Sequence, residues 1–441
     1  MSRHTVDDLQ AIADAIVAEA REGEQIAASV TRSRETDVRV RNGEVEHFVS
    51  AQSQSISVSV IQDGRTGNSS ARMFDEASWR EVLAEARENA SFGSVDEFAG
   101  LAEPDGVEIV EQKLWDDDLA AFPTEKKIEI AKELERLVLA EDSRLRIDEA
   151  DYADGATEEA SATSLGIRSS SRSNSCYATV SVLVDDNGET QTGWAYALGD
   201  SPDKFDLPAA AKKAADRATR LLGAVKPASR VTTVVLDPMV TAQFLGIISG
   251  TLVGENVVKG RSIFADRLGE QVASPLITLI DDPTDSRAYS ACETDGDGLA
   301  TRRNVLIQDG VLQMFVHDAY SARRAKTKST GNAGGCLALQ LVPGTKTQEE
   351  LIAGIEDGVL IDSVQGLHSG VNPVSGDFST GASGLVIRNG KTAEPIREFT
   401  IASTLQRMLL DVQAVGGDVD WLPSRAAGLS LVISGVTMSG A

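Results

Sequence analysis

The chain is short of the residues that metal-dependent and thiol-dependent catalysts rely on. Its 441 residues include four histidines, His4, His47, His317 and His368, and no two lie within helical reach of each other. A zinc hydrolase needs three protein ligands, an open position for water and usually a carboxylate to take the proton. Cysteine is equally scarce: Cys176, Cys292 and Cys336 are far apart and show no Cys-x-x-Cys spacing, which suits a reduced, cytosolic compartment. Basic residues are outnumbered, 42 Lys and Arg against 67 Asp and Glu, for a net charge of −25. A phosphate backbone demands a basic face, so this balance argues against a nucleic-acid partner and disfavours anionic membrane surfaces. The first residues, MSRHTVDDLQAIADAIVAEAREGE, hold acids throughout and no apolar core of the signal-peptide kind.

The most telling absence is internal. Between Asp237 and Glu255 seventeen residues carry no charge, and glycines stand at Gly246, Gly250 and Gly254. The stretch is too short to span a bilayer and contains Gln, Ser and Thr, so it reads as a buried helix. Each interior glycine costs about 1 kcal/mol against alanine in helix propensity. Glycine at every fourth position leaves one face nearly bare. That face either admits a close neighbouring strand or helix, or borders an inner chamber shared with a partner. A Gly250→Leu change is then expected to disrupt packing or assembly, at about 1–3 kcal/mol for overpacking.

What is present is ordinary for a soluble globular chain: 41% hydrophobic and 25% charged residues, and length for two or three domains. Residues 6–21 place Leu9, Ile12, Ala13, Ile16, Val17 and Ala20 on one helical face. The period then changes to two, with hairpin turns at Asn42-Gly43 and Asp63-Gly64 and further turn signals at Asn187-Gly188, Asp309-Gly310 and Asn389-Gly390. Asp75 is a plausible N-cap for a helix bearing Trp79, Val82, Leu83 and Ala86. Residues 124–140 form a helix with Ile128, Ala131, Leu134 and Val138 inward, and residues 208–222 an Ala-rich one. Further helical patterns cover 240–253, 347–355 and 402–412. The segment GAVKPASR at 223–230 breaks the apolar period and separates an N-terminal α+β domain, 1–222, from a β-rich domain, 231–441. Paired strands joined by short turns favour antiparallel sheets, hence an α+β fold in two domains with flanking helices.

Isolated chemical groups carry weaker signals. His4 sits in a terminus that should fray, and His47 should face solvent from a strand. His317 and Asp318 are adjacent on a predicted strand and so point to opposite faces. Cys336, in AGGCLAL, has the small neighbours of an exposed nucleophile, but a thiol hydrolase needs a histidine base; buried, inert cysteine is the simpler reading for it and for Cys292. Asp295-Gly296-Asp297-Gly298 lacks the later acids of a calcium loop and reads as a solvated turn. GDFSTGASG, residues 376–384, has no following Lys-Ser or Lys-Thr; it reads as a strand-edge loop whose backbone needs close approach or positive φ.

Taken in order, four stretches resemble the TldD/PmbA family of metalloproteases: residues 37–67, 231–274, 297–335 and 370–405. In the TldD branch the helix of the second stretch carries His-Glu-x-x-x-His. Aligned backwards without gaps from GRSIFADRLGEQVAS, the three motif positions fall on Leu245, Gly246 and Gly250, none of which binds a metal or moves a proton. The TldD branch draws another zinc ligand from a cysteine near its C-terminus, and residues 414–440 here contain none. The chain therefore resembles the TldE (PmbA) branch. That resemblance implies no catalytic or metal-binding residue and no cofactor in this chain, with zinc in a TldD-like catalytic partner. It also implies a heterodimer with that partner, or a homodimer, acting on unfolded or leader-like peptides in the cytoplasm. Gly246, Gly250, Gly254, His368, Asn372, Asp377 and Ser379 are candidates for a chamber or packing face. The alternatives are a stand-alone homodimeric binding or scaffold protein and a metal-independent hydrolase using Cys336 or a serine.

Overall fold

The computed structural model describes residues 5–186 and 188–441, so His4 and Asn187 lie outside it. The described chain divides into two compact units, one of residues 5–219 with 293–300, the other of residues 220–292 with 301–441.

The first unit runs α1 (Val6–Val17), β1 (Glu24–Arg41), β2 (Glu44–Gln62), β3 (Arg65–Ala71), α2 (Glu76–Phe92), α3 (Asp117–Ala120), α4 (Thr124–Glu141), β4 (Leu145–Thr163), β5 (Arg168–Asp186), β6 (Glu189–Gly199) and α5 (Leu207–Thr219). Its strands form one antiparallel sheet in the order β3-β2-β1-β4-β5-β6. The turns obey the residues that make them: Asn42 and Gly43, and Asp63 and Gly64, all take positive φ, as tight hairpins require. Thr5 closes a capping box with Asp8, and Asp75 accepts from the Ser78 N–H at 3.0 Å, so both helices start where their caps place them. The α1 pattern stops at Val17, short of Arg21.

Alternation along the strands sends Ile26, Ala28 and Val30 of β1, Ile56, Val58 and Val60 of β2, and Ala160 and Ala162 of β4 to one face. There they meet Leu9, Ala13 and Ile16 of α1 and Trp79, Val82, Leu83 and Ala86 of α2. Each large aliphatic buried this way contributes about 1.5–3 kcal/mol. Gly67 of β3 lies under α2 and Gly193 of β6 under α5, where any Cβ would overlap helix backbone. Farther along, Val38, Val40, Tyr152 and Cys176 pack with Ala131 of α4. That helix also buries Lys127, which pairs with Asp154 at 2.5 Å and donates to Thr36 at 3.0 Å. The other face of the sheet is hydroxyl-rich: Ser29 donates to Glu159 (2.9 Å), Ser33 meets Thr157 (3.2 Å) and Ser161 meets Ser169 (2.8 Å).

The second unit contains β7 (Arg230–Leu236), α6 (Pro238–Leu252), α7 (Gly254–Val258), β8 (Leu279–Asp281), β9 (Asn304–Gln308), β10 (Val311–Leu312), α8 (Ala319–Ala325), β11 (Leu339–Leu341), α9 (Gln348–Ala353), β12 (Asp357–Gln365), α10 (Leu367–Gly370), β13 (Asp377–Arg388), β14 (Lys391–Thr404), α11 (Leu405–Leu410), β15 (Val412–Val415) and β16 (Leu431–Ser439). Its larger sheet has the order β14-β13-β12-β7-β16-β15, and β14 also pairs with β16, so five strands close on themselves and lose their edges. Only the β7–β12 pair in it is parallel. A smaller sheet runs β10-β9-β8-β11. The fold is α+β with largely antiparallel sheets. Residues 376–384 are not a strand-edge loop: from Asp377 they belong to β13, flanked by β12 and β14. The expected backbone constraint is nonetheless there, at Gly376 with φ +86° and at Gly384, where a Cβ would overlap the Leu360 carbonyl. Residues 402–404 extend β14 before α11 begins. Among the described residues no helix is long and apolar enough to cross a membrane.

Candidate functional site

The uncharged stretch does fold as a helix. Asp237 caps α6 by accepting from the Met239 N–H at 3.1 Å, and Pro238 occupies the first turn, where its missing N–H costs nothing. Val240, Phe244, Leu245, Ile248 and Leu252 are buried, and Phe244 meets Phe378 of β13 edge to face with ring centroids 6.3 Å apart. At 100° per residue the opposite side carries Gln243, Gly246 and Gly250. A Cβ built at Gly246 or Gly250 meets nothing within 4 Å.

One expectation changes here. The helix ends at Leu252, because Val253 turns extended and bridges to Val316; the Gly254 N–H donates to Val316 O at 2.7 Å. Gly254 therefore leaves the stripe. It is buried against the His317 imidazole, and a Cβ there would overlap the ring. The stripe of open positions is Gly246 and Gly250, where a Cβ would meet no described atom within 4 Å. Of the positions on which the resemblance would place the metal motif, Leu245 is 1% exposed, whereas Gly246 is exposed. Neither a leucine in the core nor a bare glycine offers a donor atom, so the residues present do not fit a zinc ion. Among the described residues no three His, Cys, Asp or Glu side chains converge in a metal-binding arrangement.

The loop candidates have local tasks. His368 is exposed on α10, and Ser379 is exposed on β13. Asn372 Oδ1 accepts from the Val374 and Ser375 N–H groups (2.9 and 3.2 Å), and Asp377 accepts from the Ser375 hydroxyl at 2.6 Å, which shapes the turn into β13. An apolar cluster of Val240, Phe244, Leu367 and Phe378 brings the first half of α6 beside this loop. Gly246 and Gly250, on the other side of the helix, are not part of it.

Sequence reading missed a buried polar network in the same unit. Asp281, fully buried on β8, accepts from the Leu337 and Ala338 N–H groups (2.8 and 2.7 Å) and from Asn332 Nδ2 (2.6 Å). Asn332 Oδ1 accepts in turn from Asn304 Nδ2 at 2.8 Å and lies 2.9 Å from the Thr330 hydroxyl. Burial raises the Asp281 carboxyl above its usual range, against the pull of these donors. His317 joins through its backbone N–H, which donates to Thr330 Oγ1 at 2.7 Å. It sits in a loop, not a strand, and its Nδ1 is 3.1 Å from Ser321 Oγ, which donates to Asp318 Oδ1 at 2.5 Å. The serine stands between the histidine and the aspartate. A nucleophile–base–acid relay has the histidine in the middle, which is not the order here, and Asp318 is the N-cap of α8. These hydrogen bonds tie the glycine-rich segment 329–338 to β8 and to His317.

The thiols are similarly placed. Cys336 is 6% exposed, and burial pushes its pKa well above the ordinary value; Cys176 is pushed up to about 12 by burial first and then by Asp154. Cys292 is half-buried. The Asp295 turn is only partly solvated: Gly296 is exposed, but the buried Asp295 carboxylate accepts from the Asp297 and Leu299 N–H groups at 3.0 and 2.9 Å.

Comparison with known proteins agrees with this architecture over nearly its whole length. Residues 27–90, 117–222 and 229–440 match, in order, domain 1, the central domain and the C-terminal domain of the PmbA/TldA metallopeptidases. The Escherichia coli O157:H7 metalloprotease PmbA is 26% identical over 407 residues, covering 90% of this chain and 89% of its own. A metalloprotease PmbA homolog of Haemophilus influenzae is 25% identical over 434 residues, 98% of this chain and 96% of its own. The crystal structure of a Thermotoga maritima protein superposes with a TM-score of 0.90 at 25% identity, covering 97% and 99% of the two chains. TldE from Thermococcus kodakarensis shares the fold, with a TM-score of 0.88 at 21% identity over 98% and 99%. With all three domains matched in sequence order and the fold shared end to end, the chain belongs to the PmbA/TldD metallopeptidase family.

Proposed function

We propose that this chain is the non-catalytic, TldE-like subunit of a two-subunit metalloprotease that cleaves unfolded or leader-like peptides, with zinc and general base supplied by a TldD-like partner. One observation carries the reading: Leu245, Gly246 and Gly250 offer no donor atom, and no cysteine stands in residues 414–440. A zinc site needs three protein ligands, and here both of its contributing segments lack them together. The open stripe at Gly246 and Gly250 is part of the proposal, as a surface bordering the chamber that the partner completes. The thiol-hydrolase alternative is disfavoured by the burial of Cys336 and by its raised pKa, since the thiolate is the nucleophile.

Reconstitution tests it. Alone, the chain is expected to leave casein uncut. Mixed with a TldD-like partner, it is expected to support cleavage that a chelator abolishes and that a Cys336→Ala change leaves intact. Chelator-resistant cleavage by the purified chain alone, lost in Cys336→Ala, would overturn the subunit reading in favour of a thiol hydrolase.

A further inference from the structure

Two Asn-Gly turns lie wholly within the described residues, alike in sequence and backbone but not in surroundings. Asn42-Gly43 joins β1 to β2 and Asn389-Gly390 joins β13 to β14, and all four residues take positive φ. In such a two-residue hairpin the N–H of the second turn residue takes no part in the strand ladder and needs an acceptor of its own. At Gly390 that acceptor is a peptide carbonyl: its N–H donates to Ile355 O at 2.9 Å, and the Asn389 N–H donates to Glu356 O at 2.7 Å. A Cβ at Gly390 would overlap the Ala353 backbone, so this turn is held against the connection from α9 to β12.

At Gly43 the acceptor is a carboxylate. Glu135 projects from α4 with 3% of its surface exposed, and its Oε1 and Oε2 lie 3.2 and 3.1 Å from the Gly43 nitrogen. The turn is otherwise open. Asn42 and Gly43 are exposed, a Cβ at Gly43 would meet nothing within 4 Å, and the Asn42 amide has no hydrogen bond among the described residues. Anchoring alone is served by a carbonyl, as the second turn shows. A buried carboxylate in that place adds a base.

The chemistry of the pair gives that base a task. Without a Cβ, the glycine nitrogen is unhindered and its backbone free to turn, so it reaches the side-chain carbonyl carbon of the preceding asparagine and closes a five-membered imide. The attacking nitrogen must lose its proton, and a carboxylate within about 2.6–3.2 Å is placed to take it. We propose that Asn42-Gly43 is a self-modification site, where Asn42 becomes aspartate or isoaspartate with Glu135 as general base. The Gly43 nitrogen bonds to Asn42 Cγ while its proton passes to Glu135. The Cγ–Nδ2 bond then breaks, and ammonia leaves with that proton. Water opens the imide at either carbonyl, which completes the exchange of an amide for an acid. The product adds a negative charge beside Glu135 in a turn already followed by Glu44 and Glu46, so conversion is expected to loosen the hold of α4 on the hairpin. None of this depends on the subunit reading.

The test incubates the folded full chain at neutral pH and follows both asparagines by peptide mapping with mass spectrometry and an isoaspartate-specific methyltransferase assay. Asn42 is expected to convert about tenfold or more faster than Asn389. Glu135→Gln keeps an acceptor for the Gly43 N–H but is no base, so it is expected to slow Asn42 about tenfold or more and leave Asn389 unchanged. An Asn42 that stays intact, equal rates at the two sites, or parental conversion of Asn42 in Glu135→Gln would each overturn the proposal. Thermal unfolding checks that the variant folds; if it does not, the ratio of the two rates in the parent chain decides by itself.

Discussion

Gly250 and Gly254 are the same residue type, four positions apart, in one uncharged run, yet their surroundings are opposite. Gly250 faces open space, whereas Gly254 is pressed against the His317 ring. The difference comes from Val253, whose extended backbone ends α6 and pairs with Val316 before α7 starts. Residues four apart share a face only while the helix lasts. One glycine therefore admits a neighbour within the chain, and the other stands where a Cβ would meet no described atom within 4 Å.

The largest effect separating them is expected from Gly254→Val. The added side chain must displace His317, itself tied to Thr330 and Ser321, so a loss of about 1–3 kcal/mol is expected in denaturant unfolding. A variant as stable as the parent would erase the contrast.

A pH titration sharpens the same contact. Burial holds the His317 pKa below its ordinary 6.5, with Asp318 pulling the other way. Below about 6.5 the unfolded chain binds a proton that the folded chain resists. The stability conferred by the neutral ring is thus fully present above that pH and is lost as pH falls. The unfolding midpoint of the parent should therefore drop more steeply below about pH 6.5 than that of His317→Gln. Equal slopes would show that the ring titrates freely.

Gly250 predicts the reverse sign. With no neighbour to displace, Gly250→Ala should stabilise by up to about 1 kcal/mol through helix propensity. Gly250→Leu should not destabilise the isolated chain, and any failure of that variant to assemble with a partner would locate the partner on this face. Destabilisation of the isolated Leu variant would mean that the face is closed within the chain after all.

The smallest effect leaves stability untouched. Among the cysteines, Cys292 should react with a thiol reagent in the folded state, and Cys176 and Cys336, buried and raised in pKa, only on unfolding. Fast native-state modification of Cys336 would reopen the thiol reading.

Local chemistry was legible from sequence wherever neighbours in the chain decide structure. Asn42-Gly43, Asp63-Gly64, Asp309-Gly310 and Asn389-Gly390 all turn with positive φ, Asp75 caps α2, and the uncharged run is a helix. What escaped depends on partners far along the chain. The break at Val253 answers to Val316, and β13 is a central strand because β12 and β14 flank it. Asp281 is satisfied by groups 51 to 57 residues away. Periodicity also missed Lys127 and Glu135, charged positions of α4 that are buried because Asp154, Thr36 and the Gly43 N–H answer them across the sheet. The proposed absence of a metal site rests on residue types, since the side chains at Leu245, Gly246 and Gly250 carry no donor atom.

That absence is the claim on which the functional account stands, and the metal content of the purified, folded chain tests it most directly. Elemental analysis is predicted to find no stoichiometric zinc, with the parent and the His317→Gln and His368→Gln variants alike. About one tightly bound zinc per chain, lost when either histidine is replaced, would contradict the account.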